Sequence, residues 1–280
     1  MQGMRTPTLT NMVAECWERA EQALQGAIRQ KYPDRDEEEI TMLLRGELDE
    51  EFSRVSKNGT VERAFFLDLS RSLPDVSQAD LSKITRGPIA TVHFHPRKVE
   101  ERTGGDFGLV FTRPNIRRVT HSRSRLTIDS DYQRGLLCQA KVFGRGSAWG
   151  KLSAIQRKLL RDRLSYLVLL LYRYTDQDGE RRQLEPFSWQ ETRDAGMEEI
   201  SGWLKSDTFP KRTGSRQIIT ELAQGAIGTD DKKIISDHIA PEVRPSLKIT
   251  VGWPEGHGPG REVQLAQSTV RMQMRQVQSS

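Results

Sequence analysis

The spacing of the apolar residues changes from helical to extended near residue 88, and this change constrains the fold more than any other feature. Before it, apolar residues recur at helical spacing over 8–30, 36–55 and 60–72, with a shorter helical piece at 76–85. After it, residues 88–99 alternate with the period of a strand, and 106–112 and 136–143 are short apolar runs bounded by turn residues. The sequence therefore predicts helices followed by a β-sheet.

The second half of the chain predicts one more buried strand and several helices. A helix is expected from Trp149 to about Arg163, and Tyr166 to Tyr174 is apolar on both faces, as in a strand inside a sheet. The polar residues 113–130 predict a long hairpin loop. Further elements are expected as helices at 196–205, 215–226 and 230–239 and as a strand at 247–251. This order favours one α/β domain, 1–280, with helical additions at both ends, the C-terminal one at about 190–280.

Composition excludes several classes of protein. Hydrophobic residues make up 35% of the chain, enough to bury a core, so collagen-like and fully disordered chains are excluded. The longest apolar run, Leu167 to Leu171, is far shorter than the roughly 18–20 residues of a membrane span. Two cysteines, Cys16 and Cys138, cannot build a disulfide framework. With an N-terminus that lacks an apolar signal core, these features predict a cytoplasmic protein with no membrane partner.

The net charge of +5 is distributed unevenly. Residues 107–128 contain five arginines and no acid, and 144–163 contain six basic residues against Asp162 alone, whereas 34–51 contain nine acids against two arginines. A basic stripe beside an acidic helix is typical of a metal-dependent enzyme that acts on a polyanion. A solvated basic face that binds nothing is the alternative.

Three polar residues stand at positions where apolar strands would bury them. Asp106 follows Gly104 and Gly105 at the start of an apolar strand, and Gln139 and Lys141 lie two apart on a second strand, so they share one face. Buried polar groups are unfavourable unless they have partners. If the two strands pair, Asp106, Gln139 and Lys141 can converge.

In these features the sequence resembles the PD-(D/E)XK nuclease superfamily, over residues 36–174. The resemblance is carried by the acidic helix, the Gly-Gly-Asp strand start, the Gln-Ala-Lys strand, the following helix with Gln156 and the buried strand. It implies a restriction-endonuclease-like core, a mixed sheet flanked by helices in the order α-β-β-β-α-β. Gln139 departs from the Asp or Glu usual at its position, although a Gln-x-Lys variant exists within the superfamily.

The resemblance also implies the chemistry of the site. Asp106 would anchor Mg²⁺ or Mn²⁺, Gln139 would offer its amide oxygen, and Lys141 would orient the attacking water. A second carboxylate, catalytic and metal-binding, is expected from the preceding helix. Glu37 is preferred because it falls on the apolar face of that helix, Glu47 borders this face, and Glu38 and Glu39 fall away from it.

Nucleic acid is the expected partner, DNA in preference to RNA. The residues expected to contact it are Arg117, Arg118, Arg123, Arg145, Lys151 and Gln156. The predicted activity is that of a Mg²⁺-dependent endonuclease, the cleavage component of a bacterial anti-phage defence system. Activation would come from oligomerisation or from a protein partner such as an ATPase, helicase or sensor. The alternative is a catalytically inactive nuclease fold that binds nucleic acid or serves as a scaffold.

Two other features are assigned structural roles. His93 and His95 share a strand face and could chelate zinc, but no third ligand stands nearby in the sequence, which favours a solvated strand face. Cys138 lies on the opposite side of its strand from Gln139, which predicts a core residue rather than a nucleophile.

Overall fold

The computed structural model of the protein describes most of the chain up to residue 251. The described residues are 8–31, 36–57, 60–61, 64–65, 67–68, 87–119, 125–143, 151–177, 181–241 and 246–251. The predicted helical piece at 76–85 therefore lies outside them.

Two long helices open the chain, as the sequence predicts. They are α1, Leu9–Lys31, and α2, Glu37–Lys57. Their apolar stripes are fully buried, and Trp17 of α1 stacks on Phe107 with ring centroids 6.1 Å apart. Buried residues of both helices belong to the hydrophobic cluster that contains Phe107, so both helices pack on the side of the sheet to which Phe107 contributes.

The central sheet is mixed and has helices on its faces. Its strands are β1 (Gly87–Phe94), β2 (Phe107–Val119), β3 (Arg125–Phe143), β4 (Leu167–Gln177), β5 (Arg181–Leu184), β6 (Ser188–Glu191), β7 (Arg212–Thr213) and β8 (Leu247–Val251). Seven of them run in the order β7-β6-β4-β3-β2-β1-β8, and β5 pairs with β4. Strands β3 and β4 are parallel and the other pairs are antiparallel.

The remaining helices are short. They are α3 (Arg97–Thr103), α4 (Ala154–Leu160) with a 3₁₀ turn at Arg161–Tyr166, α5 (Met197–Ser206), α6 (Ser215–Gln224) and α7 (Lys232–Ile234), which continues as a π-helix at Ile235–Ile239. Helix α4 begins five residues later than predicted, at a capping box formed by Ser153 and Gln156. No helix in the described part of the chain is long and apolar enough to cross a membrane.

The predicted loop at 113–130 is wrong, because most of it belongs to strands. Strands β2 and β3 continue past the sheet as a two-stranded ribbon, with Ile116 opposite Ile128 and Val119 opposite Arg125. In the ribbon, the described pairing of each strand is with the other strand. The sequence of this part lacks the alternation that identified the other strands, so it did not predict them.

The predicted strand at 88–99 is also too long. Strand β1 ends at Phe94, and α3 begins after Pro96, whose fixed φ suits a helix start. Helix α3 ends at Gly104, which has a φ of +76° and donates its backbone N–H to the Glu100 carbonyl at 2.7 Å. A seven-residue helix is too short to show a helical period in the sequence.

The C-terminal third is more than a helical extension, because it also contributes strands to both edges of the sheet. The predicted strand at 247–251 is confirmed as β8, which pairs with β1 at one edge. Strands β6 and β7, at the other edge, were not predicted. With four and two residues, they contain too few alternations to be recognised from sequence, and their positions come from tertiary pairing.

A buried carboxyl group connects α1 to the far end of the sheet. Glu21 is 7% exposed and accepts hydrogen bonds from Trp189 Nε1 at 3.1 Å and from Ser215 Oγ at 2.9 Å. Burial raises the pKa of Glu21 to about 8. This group is therefore mostly protonated near neutral pH.

Candidate metal site

The glycine pair before Asp106 fixes where its carboxyl group points. Gly104 ends α3 in the left-handed region, and Gly105 packs so closely that a Cβ there would lie 2.5 Å from Leu137 Cδ1. Asp106 then donates its backbone N–H to the Cys138 carbonyl at 2.8 Å. The Gly-Gly-Asp sequence thus places Asp106 against β3, where β2 begins.

The Asp106 carboxylate bonds directly to the Gln-Ala-Lys segment. Its Oδ2 atom accepts hydrogen bonds from Gln139 Nε2 at 2.7 Å and from the Ala140 backbone N–H at 2.5 Å. The predicted convergence of Asp106 with Gln139 follows from the antiparallel pairing of Phe107 with Cys138. Just before the first residue of β2, the Asp106 carboxylate accepts the Ala140 N–H of β3, which would otherwise need a partner from a neighbouring strand.

Gln139 carries a buried oxygen that lacks a partner. The side chain is fully buried, and its Oε1 atom accepts no hydrogen bond from the described residues. Its Nε2 atom is occupied, because it donates to Asp106 Oδ2 and, at 3.2 Å, to the Ala140 carbonyl. An unsatisfied buried carbonyl oxygen is unfavourable, and a hard cation is one of the few groups that would satisfy it.

Lys141 lies on the same face of β3 and meets the acidic helix. Its Nζ atom is 2.7 Å from Glu37 Oε1, and the side chains are 5% and 29% exposed, respectively. The alternation of β3 confirms the predicted faces, since Cys138, Ala140 and Val142 belong to a separate hydrophobic cluster from Leu137. The buried ammonium is therefore neutralised by a carboxylate that still reaches solvent.

The position of Glu37 is held by the next turn of its helix. Thr41 Oγ1 donates to the Glu37 carbonyl at 2.8 Å and lies 3.3 Å from the hydroxyl group of Tyr172. Tyr172 is fully buried on β4, opposite Val142. This contact attaches the start of α2 to the sheet. It could not be predicted from sequence, because nothing in the apolar pattern distinguishes Tyr172 from its neighbours.

Negative charge is concentrated around Asp106. Loss of surrounding water raises the pKa of Asp106 well above its usual value, and the nearby charges of Glu37 and Glu100 raise it further, while Lys141 lowers it. The pKa of Glu100 is raised as well, first by burial. A cation bound here would favour the ionised form of each carboxylate.

Glu100 is the site residue that sequence reasoning missed. It is half-buried on α3, a helix that the sequence did not predict, and it lies just beyond the predicted strand at 88–99, so its face could not be inferred. Its closeness to Asp106 along the chain was the available signal.

The other acids considered for the site have different surroundings. Glu38 is exposed, and Glu39 forms reciprocal hydrogen bonds with Asp36 at the start of α2. Glu47 is partly buried, which raises its pKa, with Glu50 and Glu51 adding to the effect. Of the four candidate acids, Glu37 is the one in contact with Lys141. Its role as a metal ligand stays a prediction.

The residues expected to contact nucleic acid are not brought into one described surface. Arg117 and Arg118 lie on the β2 part of the ribbon, where only the backbone is described, and Arg123 and Arg145 fall outside the described residues. Lys151 is exposed. Gln156 uses its side-chain oxygen to accept from the Ser153 backbone N–H at 3.1 Å, so its first function is to cap α4.

The prediction that His93 and His95 form a solvated face is wrong. His93 is buried, its Nε2 atom lies 3.1 Å from Thr91 Oγ1, and burial lowers its pKa to about 4. His95 is half-buried, with Nδ1 2.8 Å from the Gly105 carbonyl and Nε2 3.0 Å from that of Ile239. Residues 235–239 pack over this side of β1, which the alternation alone could not reveal. Cys138 is a core residue, as predicted.

Among the described residues, no three side chains of Asp, Glu, His or Cys lie close enough together to hold a metal ion. A divalent cation here would depend on Asp106, on the amide oxygen of Gln139 and on water. Compared with known proteins, the chain matches no family model and has no significant match among curated proteins.

Proposed function

We propose that the protein is a divalent-cation-dependent endonuclease with a restriction-endonuclease-like core, and that it hydrolyses phosphodiester bonds of DNA. The observation that carries this proposal is the buried group formed by Asp106, Gln139 and Lys141. A carboxylate and an amide oxygen that has no hydrogen-bond partner among the described residues lie beside a buried lysine that is 2.7 Å from Glu37.

The order of the elements supports the proposal. From α2 to β4 the chain runs helix, strand, strand, strand, helix, strand, if α3 and the helical residues at 60–61, 64–65 and 67–68 are counted as insertions. This is the order that the resemblance to PD-(D/E)XK nucleases implies. The parallel pairing of β3 with β4 requires a crossover, which α4 and its 3₁₀ turn supply.

The donor set fits Mg²⁺ or Mn²⁺, which prefer oxygen ligands and retain several waters. The ligands would be Asp106 and Gln139 Oε1. When bound, the cation would activate water and offset phosphate charge. Lys141 places a positive charge beside this position, and Glu37 holds the ammonium in place through their ion pair. These residues would orient a phosphodiester and a water before reaction.

The resemblance also supports a role as the cleavage component of an anti-phage defence system. Activation would then depend on oligomerisation or on an ATPase, helicase or sensor partner. Coexpression with proteins encoded by neighbouring genes, followed by affinity purification, tests this part of the proposal.

Plasmid cleavage tests the activity. Wild-type protein is incubated with supercoiled DNA and Mg²⁺ or Mn²⁺, next to Asp106→Asn, Lys141→Met and the control Glu101→Gln, which alters an exposed residue of α3 paired with Arg97. We expect nicking by the wild type and the control and its loss in the other two. Cleavage that is unchanged in Asp106→Asn would refute the proposal.

One observation favours a second function, an inactive nuclease fold that binds nucleic acid. Gln139 adds no charge and donates a hydrogen bond to the carboxylate that would hold the cation. Binding of DNA or RNA without cleavage of either, with each metal and with any copurifying partner, would support this alternative.

A further inference from the structure

We propose that Glu100 supplies the second negative charge that a divalent cation needs at the Asp106–Gln139 site. This inference rests on the proposed function. Lys141 and Glu37 neutralise each other across 2.7 Å, and Gln139 is uncharged, so Asp106 alone would face a cation of charge two. One carboxylate leaves such a cation half-compensated in a poorly solvated place.

The position of Glu100 suits this role. It lies in the first turn of the seven-residue helix α3, and its backbone carbonyl accepts the Gly104 N–H at the end of the helix. Asp106 is two residues beyond Gly104. Because the cap fixes the chain between them, the half-buried Glu100 side chain is attached to the same rigid turn that positions Asp106.

The electrostatic surroundings of Glu100 point to the same site. Apart from burial, the largest influence on its charge is Lys141, followed by Glu37, and its own charge acts on Asp106. The fully buried Gln139 Oε1, which lacks a partner among the described residues, is an independent sign that a ligand is missing here. One hard cation would provide a partner for both the Glu100 carboxylate and the amide oxygen of Gln139.

Glu101 provides a matched control. It is the next residue on α3, its side chain is 64% exposed, and it forms an ion pair with Arg97 at 3.2 Å. Replacing either glutamate by glutamine removes one negative charge from the same helix, and only Glu100 lies within the charge cluster. A general effect of net charge would therefore weaken cation binding equally in both variants.

Isothermal titration with Mn²⁺ tests the proposal without any need for activity. We expect Glu100→Gln to weaken Mn²⁺ binding about tenfold or more, while Glu101→Gln stays within about twofold of the wild type. Equal affinities of the wild type and Glu100→Gln, or equal losses in both variants, would overturn the inference and leave the proposed function intact. No Mn²⁺ binding by the wild type would overturn both.

A measurement on the wild-type protein decides the case if Glu100→Gln does not fold. Carboxyl groups are labelled with a carbodiimide and a small amine, with and without Mn²⁺, and the modified peptides are quantified by mass spectrometry. Mn²⁺ is expected to lower the labelling of Glu100 and to leave that of Glu101 unchanged. Labelling of Glu100 that does not respond to Mn²⁺ would contradict the proposal.

Discussion

The ion pair between Lys141 and Glu37 should respond very differently to removal of one partner or the other. The Lys141 side chain is 5% exposed, so its ammonium group has Glu37 rather than water as its partner, whereas the Glu37 side chain is 29% exposed and can be hydrated alone. Removing one partner of a buried pair leaves an uncompensated charge, which costs about 3 kcal/mol or more. Glu37→Gln should therefore lower the free energy of unfolding by about 3 kcal/mol.

The reverse substitution should have little effect on stability. Lys141→Met replaces the buried ammonium with an apolar side chain of similar length, and the carboxylate that remains reaches water. The substitution removes the cost of burying the ammonium group, and the Glu37 side chain that loses its partner is 29% exposed, so we expect a change within about 1 kcal/mol. In the Lys141→Met background, Glu37→Gln should then cost less than about 1 kcal/mol, a coupling energy of about 2 kcal/mol.

Urea unfolding followed by tryptophan fluorescence measures these differences, since Trp17 and Trp189 are fully buried. Glu38→Gln is the control, because Glu38 shares the first turn of α2 and the same interaction with the helix dipole but is exposed. It should change stability by no more than about 0.5 kcal/mol. Equal effects of Glu37→Gln in the two backgrounds would refute the reasoning.

Three further predictions test the packing of the fold. Burial raises the pKa of Glu21 from 4.5 to about 8, so the contribution of Glu21 to stability is complete below pH 4.5 and is lost as the pH rises to about 8. Glu21→Gln should therefore remove this part of the pH dependence of the urea midpoint. An unchanged pH profile in this variant would contradict the prediction. Gly108→Ala would place a Cβ 1.8 Å from the Ile239 carbonyl oxygen and should lower the free energy of unfolding by about 2 kcal/mol or more. Gly46 on α2 has open space where a Cβ would lie, so Gly46→Ala should raise the free energy of unfolding by about 0.5–1 kcal/mol. Tyr172→Phe removes a hydroxyl that contacts Thr41 and should cost about 1 kcal/mol in the same assay; no loss would show that the contact does not hold α2 to the sheet.

The convergence of Asp106, Gln139 and Lys141 could be predicted because it depends on local rules. Side chains two apart on a strand share a face, and neighbouring strands along the chain tend to pair. The helical face of Glu37 was predictable in the same way, from its register with Ile40. Each inference uses a strand or helix periodicity that extends over several residues, so it can be recognised in the sequence.

The residues that escaped prediction depend on tertiary packing. Glu100 lies on a seven-residue helix whose start is set by Pro96 and whose end is set by Gly104, and so short an element has no visible period. His93 is buried, and Ile239 packs against Gly108, which lies opposite His93 on β2, and the Ile239 carbonyl is 3.0 Å from His95 Nε2. These contacts join segments that are far apart in the chain. Local sequence patterns do not indicate which face of a strand is covered by a segment from a distant part of the chain.

Anomalous scattering from Mn²⁺ tests the central claim most directly. Crystals grown with Mn²⁺, with data collected near the manganese absorption edge, should show an anomalous peak within coordination distance of the Asp106 carboxylate and Gln139 Oε1. The same crystals of Asp106→Asn should show that peak weakened or lost. A wild-type map with no peak at these two side chains, or with manganese peaks only at other positions, would contradict the assignment of this site to a divalent cation.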